Sequence, residues 1–397
     1  MKTFFRKVSL VVVIIAGLLL SACTKASPYV RYSESLVSAF TTINRVDFWS
    51  EGKLTDKEKT ELMTELNNTL LDLDKKFNIQ DRGDGVITDL MKVNNNSGIA
   101  PVEVDEEVIT VLKLAIEVAE KTEVDGVALY DVTIAPIWQL WDFANKAYVP
   151  MIGNFAEVPS REDIEDLLPL VDYKKVKIDE ENKTIFLEEE GMALDLGSIV
   201  KGYAADKLRN VFIKYNIPKA VIDVGRNILV HGSFFDRDND YQDIPFLASI
   251  VTPYVSSFDP NYDKIGFIGD LEIADKTLVT SGIYEKYIRD KAGNDYHHIL
   301  DPRTGYPFDN EVVSISVITD ESIKGDAYST ALLSLGLERG MALVEENMYL
   351  DTVWVVRNED IYEVYISSGL EGNFVFNTNL EEFNYVYKGV YQWEHYK

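Results

Sequence analysis

The sequence predicts an α+β fold built as one compact unit. Helix-period and strand-period segments are interspersed without the regular strand–helix–strand alternation of a doubly wound sheet. No internal repeat or low-complexity linker divides the chain. Hydrophobic residues fill 46% of the 397 positions, which is enough for a sizeable core and excludes wholesale disorder.

The elements follow in chain order. Leu62, Leu66, Leu70, Leu73 and Phe77 recur at steps of three and four and predict an amphipathic helix from Thr55 to Phe77. Asp81–Gly85 and Asn94–Gly98 are turn clusters. Val108, Val111, Leu112, Ala115, Val118 and Ala119 form one face of a second helix. Strands are predicted at Lys174–Ile178 and Thr184–Leu187, joined by a turn at Glu180–Asn182. Ala204, Leu208, Val211, Phe212 and Tyr215 mark a third helix. Further strands fall at Ala220–Val224, Phe246–Val251, Leu271–Val279 and Val312–Ile318, then a helix at Gly325–Leu335. Strand-like stretches at Val353–Val356, Ile361–Ile366 and Asn373–Phe376 end the chain, and the polar stretch Ser233–Asp243 reads as a surface insertion.

The N-terminus has a separate logic. Lys2, Arg6 and Lys7 precede an apolar run, Val8 to Leu20, that is short for a bilayer span and ends in Leu20-Ser21-Ala22-Cys23. Residues 1–22 therefore read as a lipoprotein signal peptide, Cys23 as the lipidation site and residues 23–35 as a lipidated tether to the domain at 36–397. An ordinary signal peptide with an incidental cysteine is the alternative. The expected location is the extracytoplasmic face of a bacterial membrane, anchored at Cys23. A lone cysteine excludes a disulfide framework and a cysteine-rich zinc site. The formal charge, 39 − 66 = −27, argues against nucleic acid as a partner.

Four segments carry chemistry. Asp195-Leu-Gly-Ser-Ile-Val-Lys201-Gly202 runs into a helix, where free amides and a lysine suit a phosphate group. Asp223-Val-Gly225-Arg226-Asn227 suits a tight turn or a close backbone contact. Thr280-Ser-Gly-Ile-Tyr284-Glu285-Lys-Tyr287 is followed by His297-His298-Ile-Leu-Asp301-Pro302-Arg303-Thr304-Gly305, which places two of four histidines beside a turn, where one could act as a base. Asp326 and Thr330 are four apart on a helix and share a face, an oxygen pair suited to a hard cation such as Mg²⁺. Taken singly, each segment also has a plain structural reading, and Asp326 in particular could be a helix N-cap.

In this order the segments resemble the ApbE family of FAD:protein FMN transferases. That family reads Asp-Leu-Gly-x-x-x-Lys-Gly-Tyr-Ala, a Gly-Gly turn, Thr-Ser-Gly-x-Tyr-x-x-Tyr, His-x-x-Asp-Pro-x-Thr-Gly and Asp-Ala-x-Ser-Thr. Upstream, Gly126–Trp141 looks like its Gly-x-Phe-Asp-x-Thr-x-x-Pro-x-x-x-Leu-Trp segment. The resemblance implies a single T-fold-like catalytic domain at 36–397, with antiparallel sheets and packed helices. It implies Mg²⁺-dependent transfer of FMN from FAD to a Thr or Ser of an acceptor protein, with release of AMP. By position, Asp326 and Thr330 would hold Mg²⁺, with the Ser198 carbonyl and, to a lesser degree, Ser329. Asp195 and Lys201 would contact FAD, Leu129, Tyr130 and Asp131 would line its site, and Leu300 would pack near it. Phe40 and Phe77 fall where the family places apolar FAD contacts, and His298 would be the base for the acceptor hydroxyl. Three departures stand out: Arg226 for the second Gly of the Gly-Gly turn, Tyr130 for the usual Phe, and Ile283 for an often polar residue. An FAD diphosphatase on the same fold and a non-catalytic flavin-binding lipoprotein are the rival readings.

Overall fold

The computed structural model describes residues 27–392 apart from 81, 84 and 348. The signal peptide at 1–22, Cys23 and part of the Asp81–Gly85 loop lie outside the described residues. No helix among the described residues is long and apolar enough to cross a membrane.

Nine strands form the main sheet, and we number them by it: β1 Tyr29–Ser35, β2 Asn44–Glu51, β3 Lys219–Val224, β4 Asn227–His231, β5 Thr277–Gly282, β6 Val312–Thr319, β7 Asp351–Asn358, β8 Ile361–Ile366 and β9 Tyr385–Val390. Order along the chain is order across the sheet, and only the β8–β9 pair is parallel. Central strand β6 is buried along its whole length, as a strand covered on both faces must be.

Five longer helices are α1 Asp56–Phe77, α2 Glu106–Lys121, α3 Val200–Lys214, α4 Ser322–Leu335 and α5 Leu337–Glu346. A capping box starts α1: Thr55 accepts from the Glu58 N–H while Glu58 accepts from the Thr55 N–H. The helices pack on one face of the sheet, where Phe48, Ile222, Ile315 and Trp354 meet Leu66, Leu112, Leu208 and Leu332. The other face, with Val313, Ile318, Val353 and Val355, is covered by the strands Phe246–Val251, Phe267–Ile273 and Val375–Phe376. Nearly every residue of α4 is buried, because it lies between the sheet and the other helices.

The architecture is the α+β arrangement expected, with three local corrections. Much of the stretch expected as tether is strand: β1 begins at Tyr29 and pairs with β2 through Ser35. The single strand expected at Leu271–Val279 is two, in different sheets, separated by a turn with Asp275 at φ 51°. The stretch Ser233–Asp243 is not simply surface: Phe235 is buried and stacks on Tyr29 at 5.0 Å.

Candidate active site

A cavity of about 310 Å³ opens where the ends of α1, β5, α3 and α4 converge. It is lined by Phe40, Phe77, Leu129, Tyr130, Asp131, Asp195, Ser198, Lys201, His298, Leu300, Asp326 and Thr330, residues singled out from well-separated parts of the sequence.

Asp326 lies in the second turn of α4 and is buried. It is not the N-cap. The start of α4 is capped from α3 instead, where the Asp206 carboxylate accepts from the Ser322 and Ile323 N–H groups at 3.1 and 2.9 Å. Asp326 Oδ2 accepts from the Gly202 N–H at 2.9 Å, and Oδ1 lies 3.6 Å from Lys201 Nζ. A buried carboxylate needs such partners, and here one oxygen is fixed by backbone while the other faces the Lys201 ammonium. Thr330 follows one turn on and borders the same cavity. Ser329 does not line it: its hydroxyl donates to the Asp326 carbonyl and meets Ser281 Oγ, both at 2.8 Å, so the expected minor metal contact is instead a packed internal bond.

His298 Nδ1 lies 2.9 Å from the Lys286 carbonyl. Only an N–H can satisfy a carbonyl, so in the neutral ring Nδ1 carries the proton and Nε2 holds the free lone pair. Burial, with the Lys286 and Lys201 charges adding to it, pushes the His298 pKa down to about 3. Burial and the Lys201 charge also lower Lys286. Asp195 accepts from the Gly197 N–H at 2.8 Å, and burial raises its carboxyl.

The remaining lining residues are held by the framework. Phe40 has φ 54°, and its N–H donates to Asp74 Oδ1 at 3.0 Å, while the other Asp74 oxygen pairs with Arg82. Phe77 ends α1 and meets Tyr203 edge-on. The Tyr130 hydroxyl lies 3.0 Å from Ser198 Oγ. Asp131 borders the cavity with both oxygens already engaged: Oδ1 by the Thr133 N–H and hydroxyl, Oδ2 by the Tyr173 N–H. Asp131 thus lines the cavity as expected, and its carboxylate also braces the chain around it. Arg226, at φ 71°, turns to Glu285 at 2.7 Å.

Lys286 and Trp138 line the cavity without a role in the sequence reading, and Lys286 Nζ stands 5.8 Å over the Trp138 ring. Lys286 lay in a variable position of its motif, so only its neighbours pointed to it. Among the described residues, no group of three or more His, Cys, Asp or Glu side chains is placed to hold a metal. The oxygens of Asp326, Thr330 and Ser198 suit a hard cation that completes its shell from substrate phosphate.

Fold and site together define a protein with a small-molecule cavity lined by apolar rings and side chains together with ammonium, carboxylate and hydroxyl groups. The chain belongs to the ApbE family, whose family model matches residues 40–354. It is 32% identical over 272 residues to an FAD:protein FMN transferase of Klebsiella pneumoniae, covering 68% of this chain and 76% of that one. It is 27% identical to one of Vibrio cholerae, covering 89% and 95%. Among solved structures, the flavin transferase ApbE from Vibrio cholerae superposes with TM-score 0.71 at 24% identity, over 87% of this chain and all of that one. The ApbE protein from Thermotoga maritima gives 0.65 at 26% identity, over 90% and 99%.

Proposed function

We propose that the chain is an FAD:protein FMN transferase that moves FMN from FAD to a Ser or Thr hydroxyl of an acceptor protein. The observation that carries the reading is the convergence of twelve singled-out side chains on one cavity. Phe40, Phe77, Leu129 and Leu300 supply apolar surface for the flavin nucleotide. Lys201 and Lys286 face its diphosphate. His298 Nε2 takes the proton of the acceptor hydroxyl as its oxygen bonds to the FMN phosphorus. The anhydride bond to AMP breaks, and AMP leaves with the electron pair. A Mg²⁺ held by Asp326, Thr330 and Ser198 would supply positive charge against the charge that develops on the phosphate.

The proposal extends to the lipid anchor at Cys23 and to an acceptor on the extracytoplasmic face. With β1 starting at Tyr29, only residues 24–28 separate Cys23 from the sheet. That span reaches about 17 Å when fully extended, so β1 would lie close to the membrane surface.

The test is incubation with FAD, Mg²⁺ and a candidate acceptor, followed by denaturing electrophoresis. Flavin fluorescence should remain on the acceptor band. AMP release with no labelled acceptor would make the protein an FAD diphosphatase, and no turnover of FAD would remove both readings.

A further inference from the structure

A second cavity, of about 820 Å³, lies across a shared wall from the first. Two segments build the wall. Along residues 282–287, Gly282 and Lys286 border the first cavity, Ile283, Tyr284 and Tyr287 border the second, and Glu285 borders both. In the facing segment, His298 borders the first and His297 the second. Tyr287 and His297 are direct partners in a two-stranded ribbon. His297 ends its strand of the ribbon and His298 follows it on the other side of the wall, which sets the catalytic histidine one residue from the second cavity.

Two features of this cavity suit a polypeptide segment. Tyr254 and Tyr284, with ring centroids 5.5 Å apart, offer broad amphipathic surface. Three arginines border the cavity. Arg226 is paired with Glu285 and Arg289 with Asp295, whereas exposed Arg357 has no carboxylate within ion-pair distance among the described residues. Glu285, Asp295 and Asp309 balance the three arginines of the cavity, and exposed Arg357 is the guanidinium left to take a carboxylate of the occupant.

The geometry points to the second cavity as the seat of the acceptor protein: an extended segment with an acidic side chain on Arg357 and its Ser or Thr presented past Glu285 to the first cavity. The inference rests on the transferase reading. It also gives Arg226 a place, since its pairing fixes Glu285 at the junction of the two cavities.

The experiment uses the full chain in detergent with FAD and Mg²⁺. The probe is a synthetic peptide with an acidic residue a few positions from a Ser or Thr. Arg357→Glu and Tyr254→Ala should each raise the KM for peptide at least tenfold. FAD binding, read by quenching of flavin fluorescence, should stay within twofold of wild type and show that the variants are folded. Unchanged peptide KM in both variants overturns the seat. So does a shift in oligomeric mass by light scattering with peptide KM unaltered, which would make the face an interface between copies. A wild type that releases AMP without labelling peptide removes the transferase reading itself, a separate failure.

Discussion

Gly202 and Asp326 join helices α3 and α4 at one point. The Gly202 N–H donates to Asp326 Oδ2 at 2.9 Å, and a Cβ at residue 202 would stand 2.1 Å from the Ser322 carbonyl oxygen and 2.8 Å from Asp326 Cβ. The glycine is thus required by the closeness of the two helices, not by an unusual φ. Gly202→Ala must push α3 from α4 and carry Asp326 away from Lys201. Overpacking of this kind costs roughly 1–3 kcal/mol. FAD turnover should fall at least a hundredfold, with a lower Tm by circular dichroism. AMP release near the wild-type rate would show that Asp326 does not need its present position.

Ser329 and Thr330 are neighbours with opposite surroundings, and they should separate cleanly. Ser329→Ala removes bonds to the Asp326 carbonyl and Ser281, worth about 1 kcal/mol. It should leave the Mg²⁺ requirement within about threefold. Thr330→Val removes a hydroxyl that borders the cavity and should raise the Mg²⁺ needed for half-maximal AMP release at least tenfold. A reversed order in a Mg²⁺ titration would overturn this assignment.

Tyr130 and Asp131 make a second contrasting pair. Tyr130→Phe forfeits one bond to Ser198 and keeps the ring, so turnover should stay within about threefold and stability should drop by about 1 kcal/mol. Asp131→Ala leaves the Thr133 N–H, the Thr133 hydroxyl and the Tyr173 N–H without their acceptor. It should cost about 2–4 kcal/mol in urea denaturation while the folded fraction keeps its KM for FAD. A large KM effect without loss of stability would make the carboxylate a flavin contact rather than a brace.

Helices α1 and α2 were legible in the sequence because each repeats apolar residues over several turns, and burial follows that face residue by residue. Strand β1 was not. Tyr29–Ser35 is an edge strand with no fully buried residue, so it lacks the apolar alternation that marks a strand. The cavity was legible through its motifs, since Asp326, Lys201 and His298 each stand in an ordered segment. The state of each group was not. That Asp131 is a brace, that Ser329 turns inward and that Lys286 closes the wall depend on partners 42, 48 and 12 positions away. Spacing within one segment carries no information about such contacts.

The pH dependence follows from His298. Its folded pKa is about 3, against an ordinary value of 6.5, and burial is the main cause. Between those values the unfolded chain binds a proton that the folded chain does not, so stability rises with pH. The contribution is fully present above about 6.5 and is lost as pH falls toward about 3, with a slope of up to about 1.4 kcal/mol per pH unit. Burial lowers His297 and His231 in the same direction. Asp131 and Asp195, raised by burial, oppose the trend at its acid end, because they hold protons in the folded state above the ordinary carboxyl pKa of 3.8. The urea midpoint should therefore fall as pH drops below about 6.5, with Asp131 and Asp195 softening the fall toward the acid end. The same state governs activity. Nε2 is already unprotonated in the free enzyme, so kcat/KM, which reports free-enzyme groups, should show no acid limb near 6.5. A limb at that pH, abolished in His298→Gln and retained in His297→Gln, would mean that His298 titrates as a solvated imidazole and that the wall around it opens before FAD binds.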